Sequence, residues 1–252
     1  MADVSTIFYL FGDENINVLQ KPITVWMMDK KEDNSAEDDT LEFLNPLGLE
    51  QWLEHIKHVF NCREAYQLVF GNGSENINLE IIRDTFGHCE SLWIETNPAN
   101  RAREILGVFQ KDLKELKLRN NPFLPGDNEY QKLLLQNFKS LELGFGNRFE
   151  RLTLDDLLIC NAVDINLSPV ENFEGINRFL KLWIKGSNPQ LHRISIKQRT
   201  EIPKDVLKGI QVSKWIKDDP IETEVEIYRV NGTKATISMK GLRFSLFVEI
   251  EK

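Results

Sequence analysis

The chain has 252 residues, 41% of them hydrophobic and 28% charged, a composition that excludes a disordered chain and allows a buried core. Its net charge of -8 and pI near 5.2 count against nucleic acid or an anionic membrane as partner, because phosphate binding needs clustered lysine and arginine. No apolar run approaches the roughly 20 residues that cross a bilayer, and Met1-Ala2-Asp3 does not open a secretory signal, so a cytoplasmic or nuclear protein is expected.

In chain order, Thr6–Phe11 and Asn17–Met28 are rich in β-branched and aromatic residues around Gly12-Asp13-Glu14-Asn15, which predicts a hairpin. An acidic, solvated loop follows from Asp29 to Thr40, so residues 1–45 read as an N-terminal β-hairpin cap. From 46 to 200 one short apolar-x-apolar pattern recurs: Leu68-x-Phe70, Leu92-x-Ile94, Leu116-x-Leu118, Leu141-x-Leu143, Ile165-x-Leu167 and Ile194-x-Ile196. The intervals of 24, 24, 25, 24 and 29 residues fall in the range of leucine-rich repeats, and each motif predicts one short strand.

Helical spacing precedes the strands. Trp52, Leu53, Ile56, Val59 and Phe60 come before the first, and Ile77, Ile81, Ile82 and Phe86 before the second. Ala102, Ile105, Leu106 and Phe109 precede the third, Leu154, Leu157 and Leu158 the fifth, and Ile176, Phe179, Leu180 and Trp183 the sixth. Alternation of this kind predicts an α/β fold, an irregular leucine-rich-repeat-like solenoid with a curved parallel sheet. Asn97 and Asn121 sit where such repeats use asparagine to bond neighbouring turns. Residues 201–252 predict a helix and an antiparallel hairpin, with Glu224–Val230 and Lys234–Met239 flanking Asn231-Gly232 and a further strand from Arg243 to Ile250. The whole is read as one structural unit with small antiparallel β caps at both ends.

The stretch from Leu152 through Asp155-Asp156 to Asn161, the helix Ile176–Pro189 and the strand Leu191–Ile196 resemble the nematode F-box-associated type 2 family, as does the hairpin Tyr228–Ile237. The resemblance covers about Leu152 to Val248 closely and continues in layout back to Val4. It implies a domain that captures a target protein for a cullin-RING ubiquitin ligase, behind an F-box of short helices that docks on a Skp-type adaptor. The chain enters β-type sequence soon after Met1, so the expectation is that the F-box is absent and that adaptor and cullin are not recruited through it. The alternative is a free scaffold or decoy that binds a protein without a ligase.

An enzyme would have to start from a few histidines and cysteines. His55, His58 and Cys62 share one helix face and could join His88 and Cys89 around zinc, the remote metal-enzyme reading. The preferred reading makes Cys62, Cys89 and Cys160 reduced, buried residues of helix-to-strand turns. Gly71-Asn72-Gly73 and Gly144-Phe145-Gly146 lack the later glycine and lysine of a phosphate loop, and Asp155-Asp156 reads as the acidic first turn of a helix capped by Thr153. No catalytic residue, metal or cofactor is expected, and the chain is not read as an enzyme.

Alternate strand positions face away from the helices: Gln67, Val69, Trp93, Glu95, Lys117, Arg119, Glu142, Asn166, Ser168, Ser195 and Lys197. Tryptophan and arginine are the side chains most enriched in interface hot spots. Trp93, Glu95, Lys117, Arg119 and Glu142 are therefore the expected partner-binding residues.

Overall fold

The computed structural model describes residues 7–10, 24–27, 39–42, 51, 58, 67–76, 78–95, 98–111, 113–123, 127–148, 153–170, 175–218 and 221–249. The chain forms two compact units, Met1–Lys117 and Leu118–Lys252. Strand β6 (Glu115–Asn120) contributes residues to both.

In the first unit, β1 (Ile7–Leu10), β4 (Gln67–Phe70) and β5 (Ser91–Ile94) run parallel in the order β1-β4-β5. The repeat interval is visible in the register: Leu68 pairs with Leu92 and Phe70 with Ile94, and all four side chains are buried. Helix α1 (Leu79–Phe86) starts at Asn78, whose side chain accepts from the Glu80 and Ile81 N–H groups, and stops at Gly87, where φ is +65°. It buries Leu79, Ile82 and Phe86, while α2 (Ala99–Phe109) buries Ala102, Ile105, Leu106 and Phe109, the last with its ring 5.6 Å from that of Phe70.

The N-terminal expectation needs correction. The segment around Ile7 does not pair with the one around Thr24; β1 joins β4 in parallel, and β2 (Thr24–Met27) pairs antiparallel with β3 (Asp39–Glu42) across the acidic stretch. Four apolar residues in a row, Ile7-Phe8-Tyr9-Leu10, are the pattern of a parallel strand rather than of a hairpin arm with one wet face. Position 69 differs too. Val69 is fully buried instead of lying on an open face, because β4 is an interior strand whose cross-strand row sets Val69 between Tyr9 and Trp93.

In the second unit, α3 (Asn128–Leu134), α4 (Leu154–Ile159) and α5 (Ile176–Ile184) alternate with the parallel strands β7 (Ser140–Arg148), β8 (Asp164–Val170) and β9 (Arg193–Gln198). Leu141, Ile165 and Ile194 form one cross-strand row and Leu143, Leu167 and Ile196 the next. Each of these six side chains is at most 2% exposed, and burial of one such side chain contributes about 1.5 to 3 kcal/mol. Thr153 and Asp156 form a reciprocal capping box at α4, so the two aspartates open a helix as expected.

Beyond β9 the sheet turns antiparallel through β13 (Arg243–Val248), β12 (Lys234–Lys240), β11 (Glu222–Tyr228) and β10 (Lys214–Asp218). The antiparallel C-terminal strands are as expected, and β10 is an addition. The expected C-terminal helix is a single 3-10 turn, Lys204–Leu207, bracketed by Pro203 and by Gly209 at φ +71°. The fold is thus α/β, with parallel repeat strands in both units and an antiparallel extension in the second.

Candidate partner-binding surfaces

Strand alternation places Trp93 between buried Leu92 and Ile94, so its indole faces away from the helices and is half-buried. Lys117, half-buried on β6, carries its Nζ 4.3 Å over the centroid of that ring. A cation over an indole face at this range contributes about 0.5 to 1 kcal/mol at an exposed site. Glu95, one residue past β5, is half-buried, and its N–H donates to the Phe70 carbonyl at 2.8 Å. Of the expected contact residues, Trp93 and Lys117 are therefore brought together in the first unit. Arg119 on β6 and Glu142 on β7 belong to the second unit and are both half-buried. Glu142 leads a polar row, Glu142-Asn166-Ser195, on the face opposite Leu141, Ile165 and Ile194.

The second unit is held by polar contacts that periodicity does not reveal. Asn161 donates from Nδ2 to Asn137 Oδ1, and Gln190 donates to the Asn161 carbonyl at 2.5 Å and to its Oδ1. Each of these residues stands four positions before its strand motif, at Leu141, Ile165 and Ile194, so aligning the repeats on their strands would have exposed the ladder. It lies in the helix-to-strand turns. Asn121, after β6, instead accepts from the N–H of Phe123 at 3.0 Å and closes its own turn, while Asn97 lies outside the described residues.

Arg229 is the second such contact. Its guanidinium lies 4.4 Å over the buried Trp183 ring, with Nε donating to the Trp183 carbonyl at 3.1 Å and Nη2 to those of Ser187 at 2.8 Å and Asn188 at 3.1 Å. Asn188, at φ 49°, turns its Nδ2 to the Leu157 carbonyl at 2.9 Å and that of Cys160 at 3.1 Å. The carbonyl end of α5 is thus capped by a cation. This contact also shortens the hairpin: β11 ends at Tyr228 rather than Val230, because Arg229 turns to α5 and the Val230 N–H donates to Ile184 at 2.9 Å.

Cys89 and Cys160 are free thiols and both are buried. Burial pushes the thiols of Cys89 and Cys160 up to about 11, and the Cys89 Sγ donates to the Ser91 carbonyl at 2.8 Å. His88 beside it is exposed, as is His58, whereas Trp52, His55 and Cys62 lie outside the described residues. Among the described residues no three histidine, cysteine or acidic side chains cluster as metal ligands, and no helix is long and apolar enough to cross a membrane.

The profile of the F-box associated family matches residues 129–196, from α3 to the middle of β9. The F-box associated domain-containing protein sdz-33 of Caenorhabditis elegans is 25% identical over 207 residues, 79% of this chain and 63% of that protein. The chain thus spans about three-fifths of the length of the curated relative it matches. No solved structure matches. The alternation of α3, β7, α4, β8, α5 and β9 falls within the matched stretch, and it is over this stretch that the chain is similar to the F-box associated family.

Proposed function

We propose that the chain is a protein-binding module and not an enzyme, and that it serves as the target-capturing part of a ubiquitin-ligase receptor. The observation that carries the binding reading is the Trp93–Lys117 pair: a half-buried large aromatic under a cation, on the strand face opposite the buried Leu92 and Ile94. Rigid aromatics of this kind lose little entropy on binding and dominate interface energies. Similarity to the F-box associated family over residues 129–196 supports a role in protein interaction, and the raised thiols of Cys89 and Cys160 speak for buried structural residues. We read the 24-residue spacing and the Asn137-Asn161-Gln190 ladder as a leucine-rich-repeat-like arrangement, a scaffold that presents strand side chains to a partner.

Affinity purification of the chain from its native cells, scored for a Skp-type adaptor, a cullin and a stoichiometric target, tests this. Recovery of all three supports the ligase reading. A target without adaptor and cullin makes the chain a free scaffold or decoy, and turnover of any substrate by the purified chain removes the binding-module reading.

A further inference from the structure

The open face of the second unit carries a patch that the Trp93 surface does not include. Arg243 on β13 pairs in register with Lys197 on β9 and with Lys240 on β12, so three cations stand side by side on adjacent strands, all exposed. Among the described residues no ion pair or hydrogen bond joins any of the three to an acidic group. Glu222, opposite Lys240, has its carboxylate 2.7 Å from Lys217. One step along the same strands and on the same face lie Ser195, Ser245 and Ser238, also in register, with Ser245 Oγ donating to Ser195 Oγ at 3.4 Å. A further step brings Arg193 and Phe247, the latter 44% exposed.

Like charges directly opposite one another on adjacent strands destabilise a sheet. In a chain of net charge -8, three unpaired neighbouring cations are a local exception held against folding stability, the pattern of a binding site. From this we infer that Lys197, Arg243 and Lys240, floored by Ser195, Ser245 and Ser238, bind a short acidic segment of a partner protein. The inference rests on the reading of the chain as a protein-binding module and adds the chemistry of what is bound.

Extent and surroundings select this ligand. Adjacent strands lie about 4.8 Å apart, so the cations spread over roughly 10 Å, which suits carboxylates distributed along an extended peptide better than the point charge of one phosphate. On the far side of β12 the face becomes acidic, with Glu222, Glu224 and Glu226 opposite Lys240, Ser238 and Thr236. A nucleic acid or an anionic bilayer would extend its charge over those carboxylates, whereas a short peptide need not. Ser195 and Ser238 supply hydroxyls one step along the strands from the cations, and Phe247 offers an apolar contact at the rim.

The test is fluorescence anisotropy of a labelled peptide with aspartate at alternate positions, titrated with the full chain at low and high salt. The expected result is binding that weakens as salt rises and falls about tenfold or more in the triple variant K197E/R243E/K240E and several-fold in R243Q. R243Q removes repulsion on both sides, so it keeps the test usable should the triple variant not fold, and its melting temperature should equal or exceed that of the wild type. Equal binding by wild type and R243Q, no binding, or tighter binding of a phosphoserine peptide or an oligonucleotide would overturn the inference. Should cellular partners stay on the triple variant while the peptide fails to bind, this inference falls and the protein-binding reading stands; should the wild type hold neither, both fall.

Discussion

Trp93 with Lys117 in the first unit and Trp183 with Arg229 in the second are pairs of one kind, the cation lying 4.3 and 4.4 Å from the ring centroid. Their settings differ. Trp93 and Lys117 are both half-buried, and the lysine brings a single ammonium to the ring. Trp183 is fully buried, and the guanidinium over it is also hydrogen-bonded to three backbone carbonyls, with burial holding its pKa below the usual arginine value. The contrast teaches that the ring-cation contact does not itself decide the role. Carbonyls left open at a helix end turn it into a structural pin, while the half-buried pair is the one we propose to meet a partner.

The largest expected effect lies on the buried pair. R229A strands the Trp183, Ser187 and Asn188 carbonyls and should lower unfolding free energy by about 3 kcal/mol in denaturant titration. N188A, which loses the bonds to Leu157 and Cys160 and puts alanine at positive φ, should cost about 2 kcal/mol in the same assay. Loss near zero for R229A would dissolve the distinction between the pairs.

The thiols predict a pH dependence. Cys89 and Cys160 are raised from 9.0 to about 11 by burial, so the folded chain keeps both protons where the unfolded chain loses them. Stability is therefore fully present below about pH 9 and lost as pH rises toward 11, by about 2 kcal/mol per thiol at the top of that range. Melting temperatures across this window should fall, and less so in C89A or C160A than in the wild type.

Smaller effects mark the repeat turns. T153A removes one half of the α4 capping box and N161A the middle of the Asn137-Asn161-Gln190 ladder, each at about 1 kcal/mol. W93A should change stability by less than about 1 kcal/mol while abolishing partner binding, which is the sharpest form of the contrast with Trp183.

These positions also show what a linear reading can reach. The strand motifs from Leu68 to Ile196 were legible because parallel pairing sets equivalent apolar residues in register at intervals of 24 to 29 residues, and Thr153-x-x-Asp156 because a capping box is local. The Trp93 and Lys117 positions followed from strand alternation, though their contact did not. Arg229 and Trp183, 46 residues apart, meet only through the packing of a hairpin against a helix end, and neither residue type announces it. The row Lys197-Arg243-Lys240 depends on an antiparallel return of β13 onto β9 that no local pattern encodes. Val69 was misplaced because alternation tells which face a residue points to, and not whether that face is covered.

The measurement that bears most directly on the central claim is a quantitative comparison of the proteins retained by the wild-type chain and by W93A/K117E, both first shown to be folded by circular dichroism. The account predicts a stoichiometric partner on the wild type that is lost from the variant while the unfolding midpoint hardly moves. A partner held equally by both, or a variant that loses its partner only by unfolding, would contradict the assignment of Trp93 and Lys117 to a binding surface.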